Sequence, residues 1–391
     1  MLLVKDATAV TRSVVVIRVV NRLGGFGMAF LGLRLARDLG LDLPAVGQVL
    51  AVFGACTIVS RLLGGVLATR LGARSTIVIG LLASSAAQLV IGLGQTVTPV
   101  VLGIVALGLV YEIIEPASQA LIAEHVHPDR HTSSFALLWA SLSVAGVLSG
   151  VLAALLSRWG VGALFVADAT SSALAAMAAL AWLPTETRAP SDAGGRGPTP
   201  WRSAVTAPLL RWTAIATIYA TIVMVVVFML PLSVEATGAG PASTGWLLAA
   251  AAAAAIAAQR VVRVLELRLD PAHLLVSGHG LLAVGLVLWS TGSLGGLFAG
   301  AVLEGASGSL LLGSYQARAA GMARPGGAAA VMTVFGLCWG VATVVAPMVG
   351  AGLLGHGVTA LWLTCAVASL GLAALHATAT RSGAVETAHS T

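Results

Sequence analysis

Long apolar runs alternate with short polar connections along almost the whole chain. Each run is about as long as the roughly 20 residues that an α-helix needs to cross a hydrocarbon core about 30 Å thick. Strands are not indicated, because the runs exceed strand length and are dominated by Ala, Leu and Gly. The pattern predicts an all-α polytopic membrane protein with twelve transmembrane helices, at residues 13–36, 45–68, 76–94, 99–123, 134–157, 162–183, 213–234, 244–265, 272–291, 296–318, 328–354 and 358–379.

The longest polar stretch, rich in Pro, Gly and charge, separates six runs from six. It predicts an N-terminal six-helix bundle at 1–183, a cytoplasmic linker at 184–212, and a C-terminal six-helix bundle with a short cytoplasmic tail at 213–391. A repeat with a constant offset of 197 residues supports two pseudo-symmetric halves. It pairs Gln119 with Gln316, Pro128 with Pro325, and Gly160 with Gly357.

The composition of the chain and its motifs argue against several classes of protein. The chain has 391 residues, of which 58% are hydrophobic and 9% charged, too apolar for a soluble core. Its net charge of +6 comes from basic residues that stand singly, so no nucleic-acid partner is expected. The three cysteines lie in apolar runs without CxxC spacing, and no metal or cofactor site is expected from them. A membrane enzyme is disfavoured because HExxH is absent from the sequence, and a sensor because the linker leaves no room for an effector domain.

The distribution of Lys and Arg predicts the orientation. With the N-terminus inside, 15 of the 21 basic residues fall in cytoplasmic segments, as the positive-inside rule requires. An even number of helices then places both termini in the cytoplasm. Arginine is strongly preferred to lysine among Gly- and Ala-rich helices, which is typical of a high-GC bacterium. The expected location is therefore the cytoplasmic membrane of a bacterium.

A loop motif follows the second run, at residues 65–74 (GVLATRLGAR). It resembles the signature G-x-L-A-D-R-x-G-x-R of the major facilitator superfamily, through Gly65, Arg70, Gly72 and Arg74. Thr69 stands where that family usually has Asp, which puts the charged latch of the loop in doubt. The resemblance implies the twelve-helix transporter fold, alternating access to a central site, a small-molecule substrate and a monomer.

Three further patterns resemble bacterial drug-efflux members of the same superfamily. They are residues 145–150 (AGVLSG), 18–24 (RVVNRLG) and 165–169 (FVADA). For the first, close packing of small residues is the favoured alternative explanation. The resemblance implies efflux of a hydrophobic or cationic molecule in exchange for protons. Uptake of a nutrient by the same fold is the alternative.

Charged residues inside apolar runs are costly and point to function. Glu112 and Glu115 share one face of the fourth run, and Arg18 and Arg22, with Asn21 between them, share one face of the first. Their depths in the membrane agree within a few Å. We expect a buried cluster in which a glutamate, preferably Glu112, exchanges a proton. A static ion pair that fixes helix packing is the alternative.

Several other polar residues are weaker candidates. Asp168 is expected to be interfacial or structural, and Arg61 to reach the headgroups or line the pathway. The segment 124–131 (EHVHPDRH) resembles metal-ligand clustering, but its short loop offers little scaffold and no metal is expected. The remaining cavity candidates are Tyr111, Gln119, Glu304 and Gln316.

Overall fold

A computed structural model describes residues 8–127, 131–184, 205–323 and 328–388. Within these residues, twelve helices are long and apolar enough to cross a membrane. They are α1 (Ala9–Asp38), α2 (Leu43–Leu71), α3 (Ala73–Leu93), α4 (Val97–Ile122), α5 (Ser134–Trp159), α6 (Val161–Trp182), α7 (Ala207–Ala236), α8 (Gly240–Leu265), α9 (Pro271–Ser290), α10 (Leu294–Ala320), α11 (Ala330–Gly355) and α12 (Val358–Thr378).

The prediction of an all-α protein with twelve transmembrane helices is confirmed. Large apolar side chains remain on the outside of these helices: Leu62 is 69% exposed and Val367 is 68% exposed. A soluble protein rarely leaves so many such residues in contact with water, whereas lipid solvates them. The chain is therefore a multi-pass membrane protein.

Helix starts keep the spacing of the sequence repeat. The first residues of α2, α4 and α6 each lie 197 positions before those of α8, α10 and α12. The pairs are Leu43 with Gly240, Val97 with Leu294, and Val161 with Val358.

The chain forms two compact units. Unit 1 consists of Met1–Ala193, Val227–Glu235 and Ala239–Ala249. Unit 2 consists of Gly194–Val226, Ala236–Gly238 and Ala250–Thr391. The predicted boundary at 184–212 stays a prediction, because residues 185–204 of that linker lie outside the described part of the chain.

Two helices of unit 1 are interrupted at their charged residues. The first stops at Leu23, resumes at Gly27 and ends in a π-helical turn from Arg34. The α-helical part of α4 stops at Val110 and resumes at Ile114. Pro116 explains the second interruption, because it has no N–H for the carbonyl of Glu112 and its ring clashes with that carbonyl.

The loop motif is built around one glycine. Gly72 alone separates α2 from α3, and its φ of +85° is a conformation that residues with a side chain rarely adopt. Arg74 donates to the carbonyl of Leu180 on α6 at 2.6 Å. Arg70 and Thr69 are exposed, and the Thr69 hydroxyl donates to Val66 one turn earlier at 2.9 Å. Thr69 therefore bonds within its own helix.

Gly150 on α5 allows a backbone contact within unit 1. A Cβ atom at Gly150 would lie 2.5 Å from the nitrogen and 2.8 Å from the Cα of Ala249 on α8. Gly150→Ala should therefore lower the thermal unfolding midpoint in micelles, since overpacking costs about 1–3 kcal/mol.

Gly308→Ala on α10 is the matched control. A Cβ atom there would meet nothing within 4 Å, so the higher helix propensity of alanine should leave the midpoint equal or raise it. If both variants raised the midpoint alike, the close contact at Gly150 would be refuted.

Candidate functional site

A polar cavity of about 170 Å³ lies inside unit 1, at the interruptions of α1 and α4. Broken helices at membrane depth are tolerated where they line a wet cavity. The cavity is lined by Arg18, Asn21, Arg22, Gly25, Ser84, Gln88, Tyr111, Glu112, Ile114, Glu115, Leu142 and Asp168.

Glu115 is held on both of its carboxylate oxygens. Arg18 Nη2 forms an ion pair with Oε2, and the Gln119 amide donates to Oε1 at 2.8 Å. The Arg18 side chain is 12% exposed and that of Glu115 is 22% exposed, so the pair is shielded from water. An arginine pair with a second hydrogen bond fixes the position of a carboxylate. This pair ties α1 to α4.

Glu112 pairs with an arginine whose side chain is largely exposed. Its Oε2 lies 3.1 Å from Nη2 of Arg61, whose side chain is 58% exposed, while the Glu112 side chain is 26% exposed. The Ser60 hydroxyl accepts a hydrogen bond of 2.9 Å from the Glu112 backbone N–H, where the helix is interrupted. One contact to a largely exposed side chain fixes a carboxylate less firmly than the two contacts that hold Glu115. Glu112 can therefore exchange its partner more readily than Glu115.

Asp168 reaches the same cavity from α6. It is 5% exposed, and it accepts hydrogen bonds from the Gln88 side chain and the Gly27 backbone. A Cβ atom at Gly27 would lie 2.6 Å from Oδ2 of Asp168, and one at Gly24 would lie 2.6 Å from its Cα. The two glycines of interrupted α1 thus make room for the carboxylate. Asp168 lines the cavity, which the sequence analysis did not expect, although its hydrogen bonds fit the structural role that was one of the two expected.

Two buried polar atoms on the cavity wall lack a partner among the described residues. They are Nη1 of Arg18 and Oε1 of Gln88, one donor and one acceptor. Buried polar groups of native proteins normally bind protein or water. With about 30 Å³ for each water molecule, the cavity has room for about five, which would satisfy both atoms.

The charged residues that line the cavity balance only when Arg61, which lies outside the lining, is counted. The lining contains two arginines and three acids, a formal excess of one negative charge when all are ionised. Arg18 compensates Glu115, and Arg22 interacts electrostatically with Asp168. Glu112 pairs with Arg61, which does not line the cavity, so the charge of Glu112 is balanced only while that pair holds. The arrangement can accept a proton or another cation.

The structure brings most of the predicted residues together. Arg18, Asn21, Arg22, Tyr111, Glu112 and Glu115 line one cavity, and Gln119 contacts Glu115. Asn21 also donates to the Ser172 hydroxyl at 3.1 Å. Sequence reasoning missed Gln88, which lies in an apolar run without a charge beside it.

Other predicted residues lie elsewhere. Glu304 is half-buried in unit 2, and Gln316 is exposed on α10. Residues 128–130 of the histidine-rich segment lie outside the described part of the chain. The described residues contain no group of three potential metal ligands.

Comparison with known proteins relates this chain to a family of membrane transporters. Residues 14–236 match the model of the Major Facilitator Superfamily. None of the curated proteins matches the sequence.

Solved structures of transporters share the fold. The nucleoside transporter NupG is 11% identical, with a TM-score of 0.79, over 95% of this chain and 99% of that chain. The POT family transporter PepTSo is 12% identical, with a TM-score of 0.76, over 96% and 98%. The peptide transporter POT in complex with sulfate is 15% identical, with a TM-score of 0.77, over 96% and 95%.

Proposed function

We propose that this chain, which belongs to the Major Facilitator Superfamily, exports a small hydrophobic or cationic molecule by alternating access in exchange for protons. The observation that supports this most is the polar cavity of unit 1 at the interruptions of two helices, where only Arg61, from outside the lining, balances Glu112. Family membership supports secondary transport. The motifs similar to drug-efflux members support the outward direction.

Glu112 is the proposed proton carrier. Its carboxylate needs a positive partner in the membrane, and it has three choices: Arg61, a proton or a cationic solute. The three partners compete, because a protonated carboxyl no longer attracts either cation. This competition is the physical basis for exchange of a proton against a cation. Because the partner of Glu112 would differ between the inward- and outward-facing states, its affinity for a proton would differ as well, and protonation would favour one of the two states.

The size of the cavity supports a role in binding the proton rather than the solute. Pockets for drug-sized ligands measure about 300–1000 Å³, whereas this one measures about 170 Å³. A few water molecules fit, and they would connect Glu112 with Asp168. In this proposal Arg18 and Glu115 position the helices, and the solute contacts Glu112 from outside this cavity.

Transport of a polar solute is the second candidate. The names of the similar structures speak of nucleosides and peptides, which are polar, although identities of 11–15% show only the fold. The exposed pair of Glu112 and Arg61 would also suit a solute that carries both charges. Import would then be the expected direction.

Membrane vesicles of both orientations test the direction and the solute class. Everted vesicles with an acidic interior should accumulate ethidium, a lipophilic cation. This accumulation should stop when a protonophore is added. Right-side-out vesicles should not accumulate it. Accumulation of uridine or dialanine by right-side-out vesicles would replace export by the second candidate. Fluxes equal to those of vesicles without the protein, for all three probes, would refute both.

A further inference from the structure

A buried chain of hydrogen bonds crosses three helices of unit 2. It runs from Ser369 on α12 through His279 on α9 and Tyr315 on α10 to His376 on α12. His279 Nδ1 lies 3.2 Å from the Ser369 hydroxyl, and His279 Nε2 lies 2.9 Å from the Tyr315 hydroxyl. The same hydroxyl lies 3.0 Å from His376 Nε2. All four residues are at most 3% exposed.

The bonds fix the position of every proton in the neutral chain. The Ser369 hydroxyl donates its one hydrogen to the carbonyl of His279 at 3.0 Å, so it can only accept from His279 Nδ1. Neutral His279 then carries its proton on Nδ1, and its Nε2 accepts from Tyr315. The Tyr315 oxygen accepts in turn from His376 Nε2–H. The remaining acceptor of the chain is Nδ1 of His376.

Aromatic side chains hold the central tyrosine in place. Tyr219 stacks on Tyr315 with ring centroids 4.9 Å apart and planes 3° apart. Trp212 also stacks on Tyr315, with ring centroids 5.0 Å apart, and its indole N–H donates to the Tyr315 carbonyl at 3.1 Å. Such contacts leave the hydroxyl little freedom to turn away.

One charged group acts on the chain itself, and a second acts on the Tyr219 ring stacked against it. Arg318 interacts electrostatically with His376, and its guanidinium lies 4.7 Å above the centre of the Trp212 ring. Glu304 interacts electrostatically with Tyr219. The imidazoles of His279 and His376 are stacked, with centroids 5.7 Å apart. A hydroxyl that joins the Nε2 atoms of two neutral imidazoles can move a proton from one to the other.

We propose that His376, Tyr315 and His279 form a proton relay in unit 2, separate from the carboxylates of unit 1. A proton binds Nδ1 of His376. The Nε2 proton of His376 then passes to the Tyr315 oxygen, while the Tyr315 proton passes to Nε2 of His279. The products are neutral His376 with its proton on Nδ1, neutral Tyr315 and an imidazolium at His279. This inference goes beyond the function proposed above and does not depend on it.

The relay requires particular tautomers, which solid-state NMR of the full chain in bilayers can observe. Among the eight histidines, uniformly labelled with ¹⁵N, one should be an Nδ1–H tautomer with a hydrogen-bonded Nε2. Its signal should disappear in His279→Gln. The signal of an Nε2–H tautomer should disappear in His376→Gln. Assignment of His279 to the Nε2–H tautomer would overturn the relay.

Tyr315→Phe tests the link, because it removes only the bridging hydroxyl. In the wild type, the two imidazoles should take up one shared proton as the pH is lowered. In Tyr315→Phe, they should titrate independently. Tyr219→Phe is the control, since it loses a hydroxyl from the stacked ring outside the chain, and it should titrate as the wild type does. Identical titration in Tyr315→Phe and the wild type would refute the relay.

Ser369→Ala gives a second variant if Tyr315→Phe does not fold. Loss of the acceptor should release His279 from the Nδ1–H tautomer and shift it toward Nε2–H. An unchanged Nδ1–H signal would contradict the proton assignment on which the relay rests.

Discussion

Glu112→Gln is expected to lower the proton-driven accumulation of ethidium strongly while the passive exchange of ethidium continues. Glutamine keeps the size and the hydrogen-bonding capacity of the side chain, but it cannot bind and release a proton at this position. The expected loss is about 5- to 150-fold, the range that coupling free energies of about 1–3 kcal/mol produce. Proteoliposomes with and without an imposed pH gradient measure the driven and the passive rates.

Glu235→Gln is the control for this change. Glu235 is also in unit 1, and it pairs with Arg37 at 3.3 Å, but the two side chains are 33% and 46% exposed. Exposed pairs contribute little, so this variant should accumulate ethidium at the wild-type rate. If Glu112→Gln accumulated ethidium as fast as Glu235→Gln, Glu112 would not be the carrier.

Arg18→Met is expected to lower the free energy of unfolding by about 3 kcal/mol. Loss of the Arg18 guanidinium leaves the Glu115 carboxylate buried without its cation. Removing one partner of a buried ion pair costs about 3–5 kcal/mol. The low end applies because the two side chains are 12% and 22% exposed. Unfolding in mixed micelles, followed by tryptophan fluorescence, measures the loss.

The double variant Arg18→Met with Glu115→Gln separates a positioning role from a proton-carrying one. It removes both charges, so most of the lost stability should return. Driven accumulation should return with it, because Glu112 is intact. A double variant that is stable but cannot couple transport to protons would move the carrier role from Glu112 to Glu115.

The elements of this fold could be predicted because the membrane imposes strict rules. Each span needs about 20 apolar residues, and the twelve runs met that requirement. The break in α4 could be expected as well, since Pro116 removes a backbone donor. The meeting of Arg18 with Glu115 followed from the cost of leaving either charge in lipid and from their similar depth.

The partners of Glu112 and Asp168 could not be predicted, because they depend on how the helices pack. Arg61 faces Glu112 only because α2 lies against the interruption of α4. Asp168 enters the cavity only because Gly24 and Gly27 admit it, and nothing in the sequence pairs α1 with α6. Gln316 lies on an exposed face of α10, and its expected place in a cavity stays a prediction.

His279 and His376 were overlooked although a signal was present. Each is a polar residue within an apolar run, at a cost that calls for a partner. Both histidines bind the hydroxyl of Tyr315, which is 36 residues from His279 and 61 residues from His376 in the sequence. Sequence spacing could not place three helices around one hydroxyl.

The most direct test of proton exchange at Glu112 is the proton movement that accompanies ethidium transport. Purified wild type and Glu112→Gln would be compared in proteoliposomes that contain a pH-sensitive dye. Ethidium entering wild-type liposomes should drive protons out at a matching rate, and the Glu112→Gln liposomes should show ethidium exchange without a change in internal pH. Ethidium transport by the wild type without any proton movement would contradict the mechanism.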